Sequence, residues 1–524
     1  MDIIGKRTLP GLLKEKTTLH PDKPFILFED NNEQIFTLNY KQFSEKVNRL
    51  SMVFLQHGVE KGDHVTLHLP NGLEFMMSWF ALAHIGAVMV PTNILSTADE
   101  MDYVISHSKS VLLITEQIYL DKFNDSARNS PSLREILLAR YEGDPFRNKS
   151  LHALMEEVKE EASSIQLESE DVAAMLYTSG TTSQPKGVLI THANYVYAGE
   201  VMSKSIRLSP DDRQLIVLPL FHGNAQYYST MSALIVGGSI AITERFSASR
   251  YFKQAIRMKA TVGSLFAAPI RMILGQVFDP DDRNHQLRLI WFAQVVTEAQ
   301  LDLFEERYHT RLLQLYGMTE ILGAPLMVPL DSAGKSVGIG RPTLGFQVKV
   351  VNEDSQEVPP GEVGQLIVNG VPGRSLMKGY FNNPAATQET IQDGWLYTGD
   401  NVRMDQEGCF SFVDRKKDMI KRSGENVSAN EIEKVISDHP AVSDCVAIGI
   451  SDEIRDESIK VYVVLRANEE VSEEDIISYC KIRLSKFKVP EYVEFIAELP
   501  RTSVGKIQKH LIRKCHEEGM KQHG

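Results

Sequence analysis

The chain has 524 residues, 43% of them hydrophobic and 24% charged, with 56 basic against 69 acidic side chains and a formal net charge of -13. One hydrophobic core usually organises about 100 to 200 residues, so two or more domains are expected, and the composition excludes a disordered, collagen-like or disulfide-dense chain. The negative balance gives no general attraction to phosphate backbones or anionic lipid, so nucleic acid is not an expected partner.

The start, Met1-Asp2-Ile3-Ile4-Gly5-Lys6, lacks the basic, apolar and small-residue succession of a secretory signal. Short β-rich runs at Val65–Leu69, Val111–Thr115 and Leu215–Pro219 alternate with helix-period stretches at Leu73–Ile85 and Ala248–Met258. The longest apolar stretch, Trp79 to Val90, contains His84 and falls short of the ~20 residues that a spanning helix needs. Strands alternating with helices bury both faces of a sheet, which explains nearly continuous apolar runs and predicts layered α/β structure to about Tyr316. A β-rich subdomain is expected over about 340–414, where Gly, Pro and Asn separate shorter strands. Residues 415–524 are relatively cation-rich, with 19 Lys/Arg against 20 Asp/Glu. They predict a compact α+β domain with strands near Val442–Ile450, Ile459–Leu465 and Tyr492–Leu499 and a helix near Glu473–Leu484. The cysteines at 409, 445, 480 and 515 stand too far apart for a C-x-x-C pair or zinc clip, which fits a reducing, cytoplasmic setting.

The most informative stretch is Leu176-Tyr177-Thr178-Ser179-Gly180-Thr181-Thr182-Ser183-Gln184-Pro185-Lys186-Gly187-Val188. Apolar strands flank it. Thr178, Ser179, Thr181, Thr182 and Ser183 offer hydroxyl donors, Gly180 and Gly187 let the backbone approach an anion, and Lys186 adds positive charge, a set suited to a polyphosphate. Pro185 stands where a Walker loop has its second glycine and Gly187 follows the lysine, so a Walker-type ATPase is disfavoured. Neither a Gly-x-Ser-x-Gly elbow nor a His-Glu-x-x-His site occurs, leaving hydrolase and zinc-protease readings without a starting point.

This loop resembles the signature of the adenylate-forming superfamily: acyl-CoA synthetases, amino-acid-activating adenylation domains and firefly-type luciferases. Further collinear segments carry the resemblance over nearly the whole chain. They are Pro219 to Gly223, Gln314-Leu315-Tyr316-Gly317-Met318-Thr319-Glu320, Gly361 to Leu366, Tyr397-Thr398-Gly399-Asp400, Arg415 through Glu433, and Pro500 through Ile507. The resemblance implies a large N-terminal AMP-binding region over 1–414 and a mobile C-terminal domain over 415–524, hinged near Lys417. It implies an ATP-dependent acid:CoA ligase, in which a carboxylate attacks the α-phosphate of ATP, pyrophosphate leaves, and the acyl adenylate passes its acyl group to coenzyme A. The carboxylate is already ionised at neutral pH, so no general base is needed; the difficulty is bringing two anions together.

By the same resemblance, Lys506 bridges the carboxylate and the α-phosphate, and Thr178 to Thr182, Lys186, Tyr316 to Thr319, Asp400 and Arg415 hold the nucleotide. Glu320 and Thr181 serve Mg²⁺, a hard ion preferring oxygen ligands. His222 gates an acyl pocket containing Asn224, Tyr227, Tyr228, Ala293, Gln294 and Lys421, while Arg422, Gly424 and Glu425 line the CoA route. Outside such motifs a lone Lys, Glu or His of this kind is ordinarily a solvated charge or a core residue. His222 occupies the place where amino-acid-activating relatives carry an aspartate, which counts against an amino acid substrate. The opening residues, Ile420 to Ser428 and Ser451 to Glu457 are similar to bacterial crotonobetaine/carnitine-CoA ligases. Tyr227, Tyr228 and Trp291 could offer rings to a quaternary ammonium, but His222 to Tyr228 contains no acid, so fatty, short branched and aryl acids stay open. An enzyme loading a separate carrier protein is the alternative, with a non-catalytic nucleotide-binding protein behind it. Monomer and homodimer are both open.

Overall fold

The computed structural model describes residues 3–123, 130–141, 150–159, 165–178, 184–332, 338–415, 418–422, 425–452, 456–501 and 507–522. Two large sheets dominate the first two thirds of the chain. The seven-stranded sheet runs Gly379–Tyr380, Lys186–Thr191, Val172–Thr178, Val88–Pro91, His64–His68, Leu112–Glu116 and Glu135–Ala139. Its last four strands pair in parallel, whereas Lys186–Thr191 returns antiparallel to Val172–Thr178. In the nine-stranded sheet, Arg213–Ile216, Val262–Phe266, Leu289–Ala293 and Arg311–Tyr316 lie side by side and parallel. These strands are buried on both faces, as their apolar sequences require.

Helix Leu73–Ile85 takes the predicted bounds and is buried almost all round, so its sequence shows no polar stripe. One core spans both sheets and the helices between them. Asn71 cross-links the layers: Nδ2 donates to Leu218 O and Thr243 O, each at 3.1 Å, and Oδ1 accepts the Leu220 N–H at 2.7 Å. The helix expected over Ala248–Met258 is shorter, Tyr251–Arg257, because a turn closed by the Arg250 N–H on Ser247 O precedes it.

A five-stranded antiparallel sheet follows, formed by Gln347–Val351, Val363–Asn369, Ile391–Gln392, Trp395–Met404 and Phe410–Arg415. Beyond it, the region that forms the fourth and last sheet has its own core, built around Ile420, Ile432, Val461, Ile476 and Cys480. Strands Val442–Asp452, Asp456–Leu465 and Tyr492–Phe495 and helix Glu473–Arg483 correspond to the predicted elements. The paired strands Ile420–Arg422 and Glu425–Val427 and the helix Ala429–Ser437 are additional. Three-residue strands are too short to show a period of two, and the helix is only nine residues, started by Ser428 Oγ accepting the Glu431 N–H at 3.2 Å. Among the described residues no helix is long and apolar enough to cross a membrane.

Candidate active site

In open α/β sheets, ligands collect outside the carboxyl ends of the strands. Thr178 closes one strand and Lys186 opens the next; they are register partners, so the two flanks of the hydroxyl-rich stretch stand opposite each other. Ser179, Gly180, Thr181 and Thr182 lie outside the described residues. Helix Ala98–Ser108 braces both flanks: Tyr103 Oη donates to Pro185 O at 2.8 Å, and His107 Nδ1 lies 2.7 Å from Tyr177 Oη. Burial lowers the His107 pKa, which favours a neutral imidazole able to accept the phenol proton.

Lys186 Nζ stands 4.8 Å above the Tyr380 ring, and Tyr380 Oη donates to Glu320 Oε1 at 3.0 Å. Glu320 is only 6% exposed, and its carbonyl accepts the Met377 N–H at 2.9 Å. Tyr380 therefore joins the loop lysine to the buried carboxylate. Sequence reasoning missed it, because its partner is 60 residues away and Lys378-Gly379-Tyr380-Phe381 carries no signal of its own. The edge strand supplies the link, pairing Tyr380 with Val188 beside the loop.

A second group forms at the end of Arg311–Tyr316. Tyr316 Oη donates to Asp400 Oδ2 at 2.7 Å, and burial together with the Asp400 charge pushes the phenol pKa up, so it remains a donor. Asp400 faces Arg415 across two antiparallel strands, with Arg415 Nε 3.2 Å from Oδ1. That approach is an ion pair without hydrogen-bond alignment: buried Oδ1 has no hydrogen-bond donor among the described residues. Gly317, Met318 and Thr319 lead from Tyr316 into Glu320, with the Ile321 N–H closing the turn on Met318 O at 3.1 Å.

Gly317 is also where the nucleotide motif meets the acyl segment. A Cβ there would lie 2.2 Å from Tyr228 Oη and 3.3 Å from Tyr228 Cζ. We expect Gly317→Ala to destabilise the fold by about 1–3 kcal/mol through overpacking. Adding Tyr228→Phe should recover most of that loss, read as denaturation midpoints of the single and double variants.

His222 is partly exposed; its N–H closes a turn on Pro219 O at 3.1 Å, and its ring lies 5.0 Å from that of Phe221. Asn224–Thr230 winds as a π-helix, a wide turn common at functional sites. Asn224 is buried with neither amide atom hydrogen-bonded among the described residues. Tyr227 and Tyr228 are buried in an aromatic row, with Tyr195 5.6 Å from Tyr227 and Trp291 5.6 Å from Tyr228. Ala293 ends its strand, and Gln294 follows at φ 76°, its carbonyl accepting from Gln314 Nε2 at 2.9 Å.

In the last part of the chain, Lys421 is exposed, with its N–H on Glu457 Oε2 at 2.6 Å. Arg422 is turned inward: Nη1 donates to Phe487 O at 2.7 Å and Val489 O at 3.1 Å, and Nη2 pairs with Glu491. Its guanidinium thus braces the fold of this region. The Glu425 backbone pairs with Arg422; its side chain, like Lys417, Gly424 and Lys506, lies outside what is described.

The model of the AMP-binding enzyme family matches residues 13–381, and that of the AMP-binding enzyme C-terminal domain matches residues 431–506. The crotonobetaine/carnitine–CoA ligase of Proteus mirabilis is 39% identical over 520 residues, covering 98% of this chain and 100% of that one. That of Citrobacter koseri is 36% identical over 513 residues, covering 97% and 99%. Among solved structures, an anthranilate CoA ligase in complex with anthranoyl-AMP superposes with a TM-score of 0.91 at 24% identity, covering 99% and 100%. The o-succinylbenzoate coenzyme A synthetase of Bacillus subtilis in complex with AMP gives 0.84 at 26% identity, covering 97% and 98%. The chain belongs to the AMP-binding enzyme family and has the adenylate-forming fold. Within it, the chain is an AMP-forming acid:CoA ligase, using ATP, a small carboxylic acid and CoA.

Proposed function

We propose that the two groups around Glu320 and Asp400 hold the two halves of MgATP while Lys506 brings in the acid. The observation that carries this reading is the linked set Lys186, Tyr380 and Glu320 beside Tyr316, Asp400 and Arg415, drawn together from three sheets. Lys186 and the hydroxyl-rich stretch take the phosphates. Asp400 Oδ1, buried without a hydrogen-bond donor, suits a ribose hydroxyl. Glu320 offers a hard oxygen site that fits Mg²⁺, which would spread charge off the polyphosphate. Tyr380 orients that carboxylate. Tyr380→Phe should therefore raise the Mg²⁺ concentration for half-maximal activity about tenfold, the low end for losing a group that orients a metal ligand. Thioester formation from supplied acyl adenylate should be unchanged.

The boundary falls between Phe410–Arg415, the last strand of the β-rich sheet, and Ile420–Arg422, the first of the terminal sheet. Lys417 is the hinge. Rotation there withdraws Lys506 and presents the stretch containing Gly424 to the thiol of CoA. Gly424, Glu425 and Lys421 border that second arrangement, and His222 gates the carboxylate.

For the acid, identity over the whole length favours a crotonobetaine- or carnitine-like trimethylammonium acid, and the rings of Tyr228 and Trp291 in the acyl segment suit a quaternary ammonium. Incubating the full-length enzyme with MgATP, free CoA and a panel of betaine, short aliphatic, fatty and aryl acids tests the choice. Preferred acyl-CoA formation from the trimethylammonium acids supports it; preference for any other class replaces it. A cytosolic location fits the four free thiols, among them Cys480, whose pKa burial pushes up to about 11.

A further inference from the structure

Two ion pairs bracket the stretch containing Lys506. On one side Arg501 Nη2 pairs with Asp444, on strand Val442–Asp452. On the other, Lys509 Nζ lies 2.8 Å from Glu433 Oε1, on helix Ala429–Ser437, and the same oxygen accepts the Ala447 N–H at 2.8 Å. Arg501 and Ile507 pair as an antiparallel bridge, and the Gln508 N–H reaches Pro500 O at 2.8 Å, so the residues flanking 502–506 are held together. Both pairs are largely withdrawn from water: the side chains are 26% and 20% exposed in the first, 15% and 17% in the second. Further on, Arg513 Nη2 donates to Asp418 Oδ1 at 2.9 Å, next to the hinge position.

The large region reaches toward this bracket. Arg271 Nη1 donates to Val295 O at 3.4 Å, in the acyl segment. Burial first, and then the nearby Arg271 charge, depress the Arg501 pKa. The foot of the lysine stretch therefore sits within electrostatic reach of the wall where the acid is proposed to bind.

We propose that Asp444 and Glu433 are positioning residues for the first half-reaction: by pairing with Arg501 and Lys509 they fix the residues on either side of 502–506, the points from which Lys506 is delivered. The proposal rests on the role given to Lys506 above. A charge meant to meet a carboxylate and a phosphate must be placed closely, since a displacement of 1 Å can cost about 100-fold in rate. Thioester formation occurs with Lys506 withdrawn, so the bracket has no part in it.

The test uses the full-length enzyme and two assays: carboxylate-dependent pyrophosphate exchange into ATP, and thioester formation from supplied acyl adenylate and CoA. Asp444→Asn should lower exchange about 10- to 100-fold and leave thioester formation unchanged, and Asp444→Glu should restore most of the exchange. Glu433→Gln should act in the same direction, with its denaturation midpoint recorded to separate mispositioning from unfolding. Loss of exchange in Lys506→Ala together with normal exchange in Asp444→Asn would overturn the bracket alone, as would equal loss in both assays. Normal exchange in Lys506→Ala would overturn the role of Lys506 and the bracket with it.

Discussion

Lys506→Ala should lower acyl-adenylate formation by about 10²–10³ while sparing the transfer of a preformed acyl adenylate to CoA. The physical reason is the charge problem of the first step. A carboxylate approaches an α-phosphate that already carries negative charge, and no proton transfer can relieve the encounter because the nucleophile is ionised before it arrives. A cation between the two is the remaining remedy, and removing a single electrostatic stabiliser of this kind costs about 10²–10³ in rate. In the second step the leaving group is AMP, and the nucleophile is the thiol of CoA. Pyrophosphate exchange and CoA acylation, measured on one preparation, check this. Equal loss in both would show that Lys506 supports the fold or both steps alike.

Lys417→Pro should give the opposite pattern. A proline fixes its own φ near −65° and drives the preceding residue away from the helical region, so a swivel at that point loses its freedom. Arg415, at the end of the β-rich sheet, and Asp418, tied to Arg513, mark how short the connection is. We expect adenylation to persist and acyl-CoA formation from supplied adenylate to fall by more than about tenfold, equivalent to about 1.4 kcal/mol of activation free energy. Normal thioester formation in this variant would place the pivot elsewhere.

Much of the architecture was legible in the residues themselves. Strands such as Leu289–Ala293 are buried on both faces and read as apolar runs, and helix Leu73–Ile85 sits where its helix-period stretch predicted. The β-rich region appeared as a change of rhythm around Gly361 and Cys409. What stayed hidden were elements shorter than one period, such as Ile420–Arg422, and elements defined by distant partners. Asn71 joins two sheets through carbonyls 147 and 172 residues away, a link no local pattern announces.

The candidate site divides in the same way. Glu320, Asp400 and Arg415 were named from their motifs, and the fold supplies their company: Tyr316 on Asp400, Tyr380 on Glu320. Tyr380 and Tyr103 escaped notice because an isolated tyrosine reads as core or surface until its hydroxyl is seen to reach a carboxylate or a loop carbonyl. Arg422 gains partners in the same way: its motif points to the CoA route, and the fold adds the carbonyls of Phe487 and Val489, which the motif does not announce. Charge in a motif identifies a residue type; burial and partners decide what that charge does.

The most direct measurement of the account follows oxygen. With the turned-over acid labelled by ¹⁸O in both carboxylate oxygens, attack on the α-phosphate and later cleavage by the thiol should leave one labelled oxygen in each AMP and none in pyrophosphate. Label appearing in inorganic phosphate, with ADP as the nucleotide product, would mean attack at the terminal phosphate and would contradict an acyl-adenylate route.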